Sequence, residues 1–113
     1  IKYNIPAKQN KRKGWMPGER LPCMNFTDAF NNKKCLHDVV DGKKFVLFLF
    51  DQENIFKMSF SEDIITYKQK GILKIVNIHP FNSHLYKSFA IKRNGWYLVR
   101  PDMYIGERLL DEN

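Results

Sequence analysis

Cysteine, histidine and glycine are scarce in this chain of 113 residues, which holds two cysteines, three histidines and six glycines. Cys23 and Cys35 are too few for a disulfide scaffold, and they form neither a Cys-x-x-Cys nor a paired-cysteine metal motif. The glycines make no G-x-G-x-x-G fingerprint, which excludes a dinucleotide site of that type. No stretch approaches the roughly 20 consecutive apolar residues of a membrane-spanning helix. No charged-then-apolar leader opens the chain. Internal repeats and low-complexity tracts are also lacking. These absences point to a soluble protein in a reducing, cytoplasmic setting with its thiols free. The first residue is Ile1 instead of Met, which reads as a processed chain or a piece of a longer one.

What the chain does have is a hydrophobic content of 43%, of which aromatics make up a large part, and that is enough for one globular core. The formal charge is +7, and it is unevenly spread. Residues 1–20 carry Lys2, Lys8, Lys11, Arg12, Lys13 and Arg20 against Glu19, so +5 of the total lies there. Residues 1–14 show no usable period and read as a basic arm or linker, with the folded domain over 15–113. Such an arm suits nucleic acid or an acidic membrane surface, but a solvated linker or leader is the simpler account of it. No base-reading motif follows it, which counts against nucleic acid.

Phe45-Val46-Leu47-Phe48-Leu49-Phe50 has no polar alternation and reads as a central strand covered on both faces. Ahead of it, Cys23–Thr27 and Cys35–Val40 read as two short extended pieces joined by the polar turn 31–34, an antiparallel hairpin. Beyond it, Ile55, Phe56, Phe60, Ile64 and Tyr67 recur at near-helical spacing and Gly71 supplies a stop. The expectation is a helix over 53–70, with a break near Ser59–Ser61 and a fresh start at Ser61-Glu62-Asp63. Ile72–His79 is the next strand, parallel to the first. Asn82 or Ser83 caps a short helix carrying Leu85, Tyr86 and Phe89. Trp96–Val99 and Tyr104–Arg108 flank Arg100-Pro101-Asp102-Met103, where proline suits the second position of a tight turn. Residues 107–113 read as the opening of a last helix.

This order defines an α/β fold of thioredoxin-like type: a mixed central sheet with an N-terminal hairpin, a βαβ crossover, a closing β-hairpin and helices on both faces. Two stretches sharpen the likeness. Met16-Pro17-Gly18-Glu19-Arg20-Leu21-Pro22, followed by Asp41–Leu47, resembles the opening segment of peroxiredoxin-like and other thioredoxin-superfamily domains. Leu98-Val99-Arg100-Pro101-Asp102-Met103-Tyr104-Ile105-Gly106-Glu107-Arg108 resembles the closing segment of the thioredoxin-like C-terminal domain of FAD-dependent aromatic hydroxylases, the phenol hydroxylase and pentachlorophenol monooxygenase group. Leu85–Phe89 resembles the helix that leads into it. The chain departs from that group at Met103, where glycine is usual, so a positive φ there would strain the side chain by about 1 kcal/mol. The resemblance implies an accessory domain that packs on upstream flavoprotein domains or on a second copy of itself. FAD would belong to the parent enzyme, with no cofactor in this chain.

A redox thioredoxin needs a Cys-x-x-Cys where a strand meets a helix, because the helix start lowers the thiol pKa. Asp51-Gln52-Glu53-Asn54 stands at that place, so dithiol exchange by this route is excluded. Cys23 and Cys35 read as small packing residues, with a pair meeting across the hairpin, or a peroxiredoxin-like thiol enzyme, as alternatives. His37, His79 and His84 are widely spaced with no cysteine pair beside them, which argues against a metal. His79 ends a parallel strand and is the one placed to face the strand-end crevice. Glu62 and Asp63 read as charges complementing a helix start. Arg100, Asp102, Arg108 and Trp96 are the candidate interface residues. For Arg100 and Asp102 turn stabilisation is the competing account, and for Trp96, as for Trp15 and Tyr97, core packing is. The function expected is that of a non-catalytic association domain of a FAD-dependent monooxygenase.

Overall fold

The computed structural model describes residues 13–53 and 62–111. Strand β3 (Phe45–Asp51) lies between β4 (Leu73–Asn77) and β5 (Asn94–Val99), and β6 (Ile105–Leu110) completes a four-stranded sheet in the order β4-β3-β5-β6. β4 runs parallel to β3, whereas β5 and β6 are antiparallel to their neighbours. An N-terminal hairpin of β1 (Asn25–Thr27) and β2 (Lys33–Cys35) forms a separate two-stranded sheet. No described helix is long and apolar enough to cross a membrane.

The run at 45–50 has no polar alternation because both of its faces are covered. Val46, Phe48 and Phe50 join Leu85, Tyr86 and Phe89 of α2 (Ser83–Ser88 and its C-cap) together with Leu21, Phe26 and Leu36 from the hairpin side. Leu47 and Leu49 join Leu73, Trp96 and Leu98 on the other face, under Ile64 and Tyr67 of α1 (Glu62–Gln69). A period of two therefore divides one apolar strand between two cores. Phe50 meets Tyr86 edge-on at 5.0 Å between ring centres, and Phe89 meets Tyr97 edge-on at 4.8 Å. Such geometry adds about 0.5–1.5 kcal/mol per pair beyond area burial.

The helix ends follow their local chemistry. α1 stops at Gly71, whose φ of +76° only glycine adopts without strain. The Gly71 N–H donates to Lys68 O (3.1 Å) and the Ile72 N–H to Tyr67 O (3.1 Å), closing a Schellman motif. α1 is described over Glu62–Gln69, within the helix expected over 53–70, while Ile55, Phe56 and Phe60 and the break expected near Ser59–Ser61 lie outside the described residues. Two expectations are corrected. Leu36–Val39 forms a turn of 3-10 helix instead of continuing extended, with the Asp38 carboxylate accepting the Cys35 N–H (3.3 Å). The strand expected from Tyr104 runs on through Leu110, so residues 107–110 are strand where a last helix was expected, since Arg108 and Leu110 are buried as β6 pairs along β5.

In the closing hairpin, Pro101 occupies the second turn position and the Met103 N–H donates to Arg100 O (3.0 Å). Met103 takes φ +76°, the left-handed residue that follows a type I turn in a three-residue hairpin loop. The strain foreseen at this departure from glycine is present. The Met103 side chain packs against the larger core, a contact that glycine could not make.

Asn82 precedes α2 at the N-cap position, but its side chain does not cap the helix. Its amide instead behaves as a piece of strand, accepting the Thr27 N–H (2.8 Å) and donating to Thr27 O (2.9 Å) and His79 O (3.3 Å). Only 2% of Asn82 is exposed, so these bonds dock β1 onto the body in the absence of competing water. Asn82→Ala strands both Thr27 backbone groups. It should lower the unfolding free energy by about 2–4 kcal/mol in urea titrations. The Thr27 amide should also lose hydrogen-exchange protection.

Burial pushes the Tyr86 hydroxyl up to about 12, while its O–H donates to Ile78 O (2.8 Å). The unfolded chain ionises this group near 10. Stability that is complete below that value should therefore fall as pH rises from 10 towards 12. Tyr86→Phe should flatten this alkaline limb in denaturant melts.

Candidate functional site

Two places bear on chemistry. The first is the exit of β3, where the carboxyl end of a parallel strand opens to solvent. Residues 51–61 contain no cysteine, and the described part of this exit is tied down by polar groups. The Gln52 N–H donates to Arg93 O (3.1 Å), and the Glu53 N–H to Asn94 Oδ1 (3.1 Å). Asn94 Nδ2 returns a bond to the Glu53 carboxylate (2.6 Å). From the far side the Asp111 carboxylate accepts the N–H groups of Lys92 (2.9 Å), Arg93 (2.8 Å) and Asn94 (3.3 Å). Acids and amides occupy this exit as a clamp between β3, the lead-in to β5 and the end of β6.

The second place is the hairpin. Asn25 pairs with Cys35, and extending that register by two residues sets position 23 opposite position 37. The Leu36 N–H donates to Met24 O (2.8 Å), which continues the register past the end of β2. Cys23 and Cys35 consequently meet, with their sulfurs 3.7 Å apart. Both are free thiols, Cys23 exposed and Cys35 half-buried. A ring nitrogen of His37 lies within 4.8 Å of both sulfurs. The hydrogen bond to Cys35, and the charge Cys35 would carry, push the Cys23 thiol above its ordinary value, with the Asp38 carboxylate adding to the effect. A reactive peroxidatic or exchange thiol has the opposite shift.

The reading that no cysteine pair accompanies the histidines is thus corrected at His37. His79 stacks on Phe81, 5.5 Å between ring centres, and the His84 Nε2 donates to Asn25 O (2.7 Å), so both have local contacts. Arg108 and Trp96, read as interface residues, are buried inside the chain, Arg108 with 1% exposed. The Arg108 guanidinium donates to the carbonyls of Lys13 and Trp15 (2.8 Å to Trp15) and holds the segment before the hairpin against the core. Arg100 and Asp102 remain exposed at the surface as a two-pronged pair, Nη2 to Oδ2 2.6 Å and Nε to Oδ1 3.1 Å. This contact holds the Asp102 carboxyl below and the Arg100 guanidinium above their usual ranges. The basic arm, apart from Lys13 and Gly14, lies outside the described residues.

No protein-family model and no curated protein matches the chain. Solved structures do. The thioredoxin domain of a thiol-disulfide oxidoreductase from Bacteroides vulgatus superposes with a TM-score of 0.61 at 16% identity, over 88% of this chain and 91% of that one. The mitochondrial 2-Cys peroxiredoxin of Plasmodium falciparum superposes with a TM-score of 0.57 at 9% identity, over 86% of this chain and 83% of that one. The fold is therefore thioredoxin-like α/β, with a mixed sheet and few helices. These neighbours support the thioredoxin-like part of the resemblance and lend nothing to its flavin-dependent hydroxylase part.

Cys23 should alkylate slowly with iodoacetamide at neutral pH and faster as pH rises past the ordinary thiol range. Cys35→Ser removes the largest cause of the upward shift, so it should speed alkylation of Cys23 at neutral pH, as read by intact mass.

Proposed function

We propose that this chain is a thioredoxin-like domain that works by association instead of dithiol exchange. The observation that carries this reading is the exit of β3, where Glu53, Asn94 and Asp111 form a closed set of hydrogen bonds and the sequence supplies no cysteine. A group that must attack a disulfide needs a thiolate at an accessible helix start, and carboxylates and amides cannot replace it. A surface remains to be offered. Exposed Arg100 borders a groove of about 360 Å³ walled by Phe45, Ile72, Leu73 and Leu98, of which Phe45 and Ile72 are themselves exposed. An apolar recess beside a charged fork is the composition of an interface core with its rim.

The likeness of residues 98–108 to the closing segment of FAD-dependent aromatic hydroxylases makes an upstream flavoprotein domain, or a second copy of this chain, the partner to test first. FAD would then be held upstream, in keeping with the lack of a dinucleotide fingerprint here. A second reading, a peroxiredoxin-like thiol enzyme, is favoured by one observation, the 3.7 Å approach of exposed Cys23 to Cys35. Its raised thiol pKa argues against it.

The purified chain should neither reduce insulin with dithiothreitol nor consume hydrogen peroxide above the buffer rate. In sedimentation velocity it should dimerise, or bind a flavoprotein fragment of the aromatic hydroxylase type. Arg100→Glu should weaken that association about tenfold or more, the scale of one lost interfacial charge contact. Peroxide turnover that disappears in Cys23→Ser would establish the second reading in its place.

A further inference from the structure

We infer that Cys23, Cys35 and His37 form a binding site for a thiophilic d10 cation, Zn²⁺ in the first instance. The site is independent of the association reading, since it involves neither the exit of β3 nor Arg100.

Tetrahedral zinc binds thiolate sulfur at about 2.3 Å, which sets two sulfurs on one ion roughly 3.8 Å apart. The observed separation of Cys23 Sγ and Cys35 Sγ is 3.7 Å. A disulfide would require about 2.05 Å. A ring nitrogen of His37 within 4.8 Å of both sulfurs leaves room for an ion among all three atoms. The donor set is coherent because the three residues sit at the end of one hairpin register, with Cys35 at the N-cap and His37 within the same short 3-10 turn.

The surroundings suit metal binding as well. His37 Nε2 lies 2.7 Å from Leu21 O, and a carbonyl can only accept, so the proton is on Nε2. In the neutral imidazole the lone pair is then on the other nitrogen. A ring N–H held by a backbone carbonyl is the usual outer support of a metal-binding histidine. Cys35 is steadied by its N–H to the Asp38 carboxylate. Two thiolates and a neutral imidazole bring a charge of −2 to a dication, so the loaded site is neutral. Exposed Cys23 leaves the fourth position facing solvent, where a water completes the tetrahedron. Binding converts two S–H groups to thiolates, and each ion taken up releases two protons to the buffer. The ion would join the segment after Leu21 to the start of the 3-10 turn, and so close the open end of the hairpin.

The test uses the whole chain, reduced and freed of metal by a chelator, titrated with Zn²⁺ by calorimetry and with Co²⁺ by absorption. One ion per chain is expected, with about two protons released per Zn²⁺ in an indicator-dye assay. Co²⁺ should give a thiolate charge-transfer band together with tetrahedral d–d bands. Cys23→Ser, at an exposed position that leaves the core intact, should abolish the charge-transfer pattern of a two-sulfur site, and His37→Gln should weaken Zn²⁺ binding by about tenfold or more. Zn²⁺ should raise the melting temperature of the wild type and leave that of the Cys23→Ser/Cys35→Ser double variant unchanged. Three results would overturn the inference: no uptake by the reduced wild type, equal uptake by the double variant, or a Cys23–Cys35 disulfide that persists in excess reduced glutathione with Zn²⁺ present.

Discussion

Everything in this domain rests on the removal from water of both faces of β3. An apolar strand of this kind cannot sit at an edge or under one layer, because either face left exposed would forfeit about 25 cal/mol per Å² of buried apolar area. Val46, Phe48 and Phe50 therefore require the α2 side, and Leu47 and Leu49 require α1. Parallel β4 and antiparallel β5 follow on its two edges and satisfy its backbone groups. The two cores are unequal. Among the described residues, the larger recruits the hairpin and the segment around Trp15, and the smaller gathers Leu47, Leu49, Leu73, Trp96 and Leu98 under α1.

That inequality separates the chemistry in space. Leu21, two residues before Cys23, donates its N–H to Met103 O in the β5–β6 turn, at the end of the sheet where β3 begins. The exit of β3 lies at the opposite end, closed by Glu53, Asn94 and Asp111. The thiols thus sit on an appendage of the larger core and away from the strand exit. Their setting also differs in kind: one thiol raises the pKa of the other, whereas a helix start would lower it. The fold's geometry for thiol exchange and the chain's sulfur are in different places.

Much of the fold was legible because its strongest signals are local. The 45–50 run, the Gly71 stop and the Pro101 turn each carry their physical cause within a few residues. The helix expected at 107–113 failed because Glu107, Arg108 and Leu109 are good helix formers by intrinsic preference, and pairing with β5 overrides that preference. Arg108 was misplaced to the surface because a buried arginine is uncommon, and its partners are backbone carbonyls that no sequence pattern displays. The approach of Cys23, Cys35 and His37 needed the register of a hairpin whose strands are three residues long. A meeting of Cys23 with Cys35 across the hairpin stood as an alternative to their reading as packing residues, but the place of His37 beside both sulfurs was not foreseen. Asn82 was read as a helix cap, and its residue type fits that role equally well. Only the position of Thr27 reveals that it serves as a substitute strand.

The rim of the sheet beside β6 carries a further consequence. The Gly18 N–H donates to Ile105 O, Ile105 in turn donates to Glu19 O, and Arg20 bridges to Tyr104, so the residues ahead of the hairpin lie along the outer side of β6 like an extra short strand. A bare β rim offers unpaired amides and carbonyls to any passing chain and is where amyloid-like stacking starts. Residues 18–20 act here as a selvedge at the start of β6, occupying the amide and carbonyl of Ile105 so that the fabric of the sheet does not continue into a neighbour there.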